Sequence, residues 1–205
     1  SMSLELSGQD PKQITAILDE LDSLTRDAFS QLKDEMDEAF AKRYKVKREE
    51  LMPWHYQGRY FQEAPNLYPI DLDKFYEGKN LEKLTADFYH SIGLDINKMM
   101  SKSSLYPQGG KNQHAFCIDI DGDGDVRVLC NLASNEQWMG TMLHEFGHAI
   151  YAQTHDANRS LPYSLRDAAH TFTTEAVAMI FGRLSRNAAW MQKNLGLSDD
   201  EKASI

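Results

Sequence analysis

The chain has 205 residues, 41% hydrophobic and 26% charged, the balance of a soluble globular protein with a real core rather than of a disordered tract. Its net charge of −9, with 22 Lys and Arg scattered among 31 Asp and Glu, argues against a nucleic-acid partner, because a surface for the phosphate backbone needs clustered cations. No run approaches the ~18–20 consecutive apolar residues of a bilayer-spanning helix, and no basic-then-apolar signal peptide opens the chain.

Ser1-Met2-Ser3-Leu4 puts a residue before the first Met and reads as an expression scar over residues 1–4, so a natural leader could have preceded it and the compartment stays open. Asp10-Pro11-Lys12-Gln13 then supplies an N-cap, a Pro at the first helical position and a Gln three residues after the cap. Apolar residues follow at helical spacing (Ile14, Ile17, Leu18, Leu21, Leu24, Phe29, Leu32) and predict a long amphipathic helix. Residues 51–61 are aromatic-rich and broken by Pro53 and Gly58, a pattern that packs or lines a cleft, with packing the commoner outcome.

Asn80 to Leu94 reads as a second helix, with Leu81, Leu84, Phe88, Tyr89 and Ile92 on one face and Gly93 as its stop. The period then changes. Residues 115–120 and 126–132 are rich in strand formers around Gly122-Asp123-Gly124-Asp125, which predicts a β-hairpin. With Asp123-Gly124 as a two-residue turn, Cys117 faces Cys130 across the ladder, as a disulfide or as two buried thiols.

Ser134 with Gln137 predicts a capping box for a helix over 136–152, and Ser164 with Asp167 a start for another reaching about Asn187. Ser198 to Glu201 is a further capping box, cut short at Ile205, which suggests a piece of a larger protein. The expected class is mainly α, helical over 10–100 and 135–187, with one short hairpin at 115–132.

His144-Glu145-Phe146-Gly147-His148 is an H-E-x-x-H pattern. Its four-residue gap puts both imidazoles on one helix face, one turn apart, where they can hold one ion. A zinc ion bound by three protein groups keeps a fourth position for water and lowers its pKa, and a nearby carboxylate, here Glu145, can take the proton. The next helix offers Glu175 as third ligand, with His155 and His170 as competitors, and Asp156 or Asp167 could support an imidazole N–H. Asp119, Asp121, Asp123 and Asp125 echo a calcium loop, but Cys130 stands where a bidentate Glu is needed, so a solvated hairpin tip is expected. Cys117 and Cys130 lack the C-x-x-C spacing of a structural zinc site.

His144 to Ala149, Leu161-Pro162-Tyr163-Ser164-Leu165-Arg166 and Glu175-Ala176 together resemble the angiotensin-converting-enzyme-like peptidyl-dipeptidases, with thimet and oligoendopeptidase enzymes more distant. The resemblance covers about the second half of the chain. It implies a gluzincin-type, mostly helical cleft enzyme with a short β element along the groove, of which residues 5–205 are a catalytic-region fragment. It makes Glu175 the third zinc ligand beside His144 and His148, with Glu145 as general base.

Gln113-His114-Ala115-Phe116 resembles the family segment that pairs with the substrate main chain, which makes His114 and Ala115 binding candidates. The implied activity is zinc-dependent hydrolysis of oligopeptides, by removal of C-terminal dipeptides. The alternatives are internal cleavage of the thimet type, or a catalytically inert metal-binding or structural module.

Several features depart from the family. The gap from His148 to Glu175 is longer, and Met179 replaces the Asp that supports a zinc-bound imidazole. The family's Lys, Tyr and His that hold the substrate carboxylate and stabilise the tetrahedral intermediate fall beyond Ile205. A family Gln that reads the peptide terminus aligns only loosely, near Gln62 or Glu63.

Overall fold

Asp10 opens the first helix as its sequence predicts. Its carboxylate accepts the Lys12 N–H 2.9 Å away, Pro11 occupies the first turn, and helix α1 runs Pro11–Tyr44. Lys45 ends it in the left-handed region at φ 57°, its N–H bonding the Ala41 carbonyl. The computed structural model describes residues 8–56, 70–156, 161–166, 168 and 170–205, without the side chains of His155, Asp156 and Ser164. Gln62, Glu63 and Asp167 lie outside the described residues, as do the side chains of His155 and Asp156.

The chain divides into two units, Ser1–Pro69 and Ile70–Ile205. In the first, the short 3-10 turns Arg48–Glu50 and Pro53–Tyr56 fold back on the C-terminal part of α1. Phe40 is fully buried there, with the Tyr56 ring edge-on to it at 5.6 Å. Tyr56 also donates to Asp37, while Lys33 bonds both of them. The apolar stripe from Ile17 to Leu32 is 41–72% exposed. The helix predicted by that periodicity therefore forms, but the two short turns pack at its far end and not on the stripe.

In the second unit, Asn80 caps helix α2, Leu81–Ser91, through the Lys83 N–H, and Gly93 with φ 84° follows its end. Leu81, Phe88 and Tyr89 are buried as expected, whereas Ile92, past the last turn, is 46% exposed. A short helix α3, Asn97–Lys102, leads to the hairpin of β1, Phe116–Asp119, and β2, Val126–Leu129.

The hairpin forms, but in a different register. Cys117 pairs with Val128, not Cys130, and both cysteines are free thiols. The cause lies in the loop. Asp121 Oδ1 accepts the N–H groups of Asp123 and Asp125, at 2.9 and 3.0 Å, and Asp119 Oδ2 accepts that of Gly124. Ile120 N–H then bonds the Asp125 carbonyl, so four residues, 121–124, span the turn, with Gly122 and Gly124 at φ 62° and 100°. The register moves by two residues, which preserves the facing, so Val126 and Val128 still point into the core, each 1% exposed. The far edge of β2 is also occupied: Ser104 bonds the Val128 carbonyl and the Cys130 N–H, leaving β1 as the sheet edge among the described residues.

Helix α4, Glu136–Asp156, is the axis of this unit. Met139, Met142, Leu143, Phe146 and Ala149 recur at helical spacing and are fully buried, each large side chain contributing about 1.5–3 kcal/mol. Asn135, not Ser134, caps it, accepting the Trp138 N–H; the Ser134 hydroxyl instead bonds the Lys79 carbonyl. Tyr89 donates to the Leu143 carbonyl at 2.6 Å and packs its ring, tilted, on that of Phe181 with centroids 5.0 Å apart.

Helix α5, Thr171–Gly182, starts later than expected. Residues 163–165 form a 3-10 turn, and His170 caps α5 by accepting the Phe172 N–H on its Nδ1. After the 3-10 turn Arg183–Arg186 come helix α6, Ala188–Leu195, and helix α7, Asp199–Ala203, which begins with the predicted Ser198–Glu201 capping box. Among the described residues the chain is thus mainly helical with one two-stranded antiparallel sheet, and no helix is long and apolar enough to cross a membrane.

Candidate functional site

Glycines set the crossing of α4 and α5. A Cβ on Gly147 would stand 2.9 Å from the Ala178 Cα, and one on Gly140 would stand 2.9 Å from the Ser185 hydroxyl. Gly182 in turn leaves room for His144, whose Cβ would be 3.2 Å from a Cβ at that position. With side chains this small the two backbones run against each other, and Glu175, one turn before Ala178 and Met179, comes over His144 and His148.

The three predicted ligand side chains converge. The Nε2 atoms of His144 and His148 are 3.1 Å apart, and Glu175 places one carboxylate oxygen 3.6 Å from the first and the other 3.5 Å from the second. All three ligand atoms lie within 4.8 Å of one another, the only such group of His, Cys, Asp or Glu among the described residues. Zinc–nitrogen and zinc–oxygen bonds of ~2.0–2.2 Å at tetrahedral angles separate neighbouring ligand atoms by about 3.3–3.5 Å. The donor set therefore has the chemistry of a possible metal site, its atoms gathered within 4.8 Å of one another.

The electrostatics agree with a site that binds a cation. Burial, then the neighbouring His148, holds His144 below the usual imidazole range, against an opposing pull from Glu175. Burial likewise lowers His148. Both rings thus favour the neutral, ligating form. Glu145, 8% exposed, is pushed up to about 7 by burial, with the Glu175 carboxylate adding to the shift. A carboxylate with that pKa can both accept and return a proton near neutrality.

No protein-family model matches the chain, and no curated protein is similar to it at a significant level.

A cavity of about 460 Å3 opens above this group, lined by Ala115, Cys117 and Asp119 of the hairpin and by His144, Glu145 and Glu175. Ala115 thus faces the cavity, while His114 is exposed and is not among its lining residues. His114's own N–H is taken by the Asn112 side chain at 2.9 Å. His170 stands apart as the cap of α5. Among the described residues no hydrogen bond fixes Nδ1 of His144 or His148, and Met179, 54% exposed, supplies none.

The calcium-like run does not converge: Asp125 is held by Lys102 and Arg127, which keep its carboxyl well below the usual range, and Asp121 caps its own loop. Two polar residues in the cavity wall carry no expectation from the sequence. Tyr151 lies three residues after His148, and helical spacing signals it; Thr174 precedes Glu175 and carries no such signal.

Proposed function

We propose that this chain carries the zinc-binding core of a metallopeptidase that hydrolyses oligopeptides. The observation that carries the reading is the convergence of His144, His148 and Glu175 within 4.8 Å, with the buried Glu145 beside them. His144 and His148 would hold zinc through Nε2 and Glu175 through its carboxylate. Zinc there supplies Lewis acidity, towards a peptide carbonyl and towards water.

Glu145 does the proton work. Its carboxylate takes a proton from the attacking water and, protonated, passes it to the departing amine. The edge of β1, a sheet edge among the described residues, would pair with an extended peptide main chain, with Ala115 at its start. His114 is the candidate donor to a substrate carbonyl. Removal of C-terminal dipeptides is the specificity that the family resemblance implies, and internal cleavage of short peptides is the other.

The test is zinc content combined with cleavage of quenched fluorescent peptides, for the parent and Glu145→Ala. The proposal expects both proteins to hold zinc and the variant to lose cleavage by about 100-fold or more. A parent without zinc, or a variant that cuts as well as the parent, would refute it.

A further inference from the structure

A second cavity, of about 380 Å3, opens on the other flank of His144 and Glu145, which line both. Helical spacing builds it. Gln137, Thr141 and His144 follow at i, i+4 and i+7 along α4; Glu175, Met179 and Arg183 follow at i, i+4 and i+8 along α5 and just past its end. Both stripes lead from the ligand group into this cavity, and Gly140 and Gly182 between them put no side chain in the way. The candidate reacting centre sits where the two cavities meet. A peptide lying across it has the residues on either side of the scissile bond in different cavities.

Charge distinguishes the second cavity. The Glu136 carboxylate accepts from Ser185 Oγ at 2.7 Å and Arg186 Nε at 2.9 Å, so that pair is internally compensated. Arg183 also lines the cavity, is exposed, and makes no ion pair or side-chain hydrogen bond among the described residues. A guanidinium without an ion pair among the described residues therefore stands one turn from Met179, the large apolar side chain of the cavity wall. Guanidinium groups favour planar, two-oxygen partners.

We propose that this cavity is a subsite for a peptide residue bearing a carboxylate, which Arg183 holds while the residue's aliphatic part lies along Met179. The proposal rests on the peptidase reading and adds the substrate class to it. The carboxylate comes either from an acidic side chain or from the peptide's C-terminus.

The experiment is equilibrium binding of three fluorescein-labelled pentapeptides to protein carrying Glu145→Gln, so that none is cut. One peptide is neutral and amide-capped, one has a single Glu, and one has a free C-terminus. At least one carboxylate peptide should bind about 5- to 20-fold tighter than the neutral one. Which of the two gains identifies the source. Arg183→Gln should erase the preference and leave the neutral peptide unchanged, and Arg183→Glu should weaken the carboxylate peptide below the neutral one.

Equal binding of all three, a preference that survives Arg183→Gln, or no binding of any peptide would overturn the subsite. Zinc content of the same samples reports separately on the underlying reading: zinc bound without a charge preference defeats the subsite alone, and absence of zinc defeats the peptidase proposal.

Discussion

Gly147 lies against Ala178 so closely that a Cβ at 147 would stand 2.9 Å from the Ala178 Cα and 3.0 Å from the Phe181 ring. This contact fixes how near α5 approaches α4, and so how near Glu175 comes to the imidazoles. Gly147→Val forces the helices apart and should cost about 1–3 kcal/mol in urea unfolding of the metal-free protein. Its zinc affinity should fall as well. Unchanged stability and affinity would mean that the crossing is not set by this pair.

The buried Glu145 gives the metal-free protein a distinctive pH dependence. Its pKa of about 7 in the folded state, against an ordinary 4.5, means that the folded chain keeps a proton which the unfolded chain has released. The group's contribution is complete below about pH 4.5 and is lost as pH rises through 7, at a cost of about 3 kcal/mol. The lowered imidazoles of His144 and His148 act oppositely, adding stability as pH rises. A difference measurement separates the two. With chelator present, Glu145→Gln should match the parent near pH 4 and exceed its stability by up to about 3 kcal/mol at pH 8.

Ser185 is buried, and its hydroxyl bonds Glu136, which ties the start of α4 to the turn after α5. Ser185→Ala leaves that carboxylate with Arg186 alone and should cost about 1–2 kcal/mol in thermal or urea unfolding. Zinc binding should stay as in the parent, since the Ser185 side chain touches none of the three ligands. A variant as stable as the parent would show that Arg186 and solvent satisfy Glu136.

Cys117 lines the main cavity, yet burial, reinforced by Glu145, pushes its thiol up to about 12. Cys130 is fully buried with its thiol at about 12. Alkylation by iodoacetamide at pH 8 should therefore be at least about 10-fold slower in native than in unfolded protein, with two free thiols per unfolded chain. A disulfide between them would contradict the pairing of Cys117 with Val128.

Helical periodicity made the core face of α4 and the pairing of His144 with His148 legible, because both follow from the turn of a single helix. Glu175 was reachable by spacing only as one of three choices, since its position depends on a tertiary crossing set by Gly140, Gly147 and Gly182. The hairpin was legible but not its register: the Asp121 side chain captures two backbone N–H groups and builds a four-residue loop where Asp123-Gly124 suggested two. The same competition moved the cap of α4 by one residue and the start of α5 by several. Asn135 and His170, not Ser134 and Ser164, provide the caps, because Ser134 finds a carbonyl on another segment and the residues after Pro162 turn as a 3-10 helix first. The exposed stripe on α1 shows the remaining limit, since periodicity reports which residues could pack but not whether a partner is supplied.

Whether His144, His148 and Glu175 hold zinc is tested by elemental analysis of dialysed protein. About one zinc per chain is expected for the parent, and almost none for His148→Ala or Glu175→Ala, each folded as judged by circular dichroism. Zinc absent from the parent after reconstitution, or retained in both variants, would contradict zinc binding by these residues.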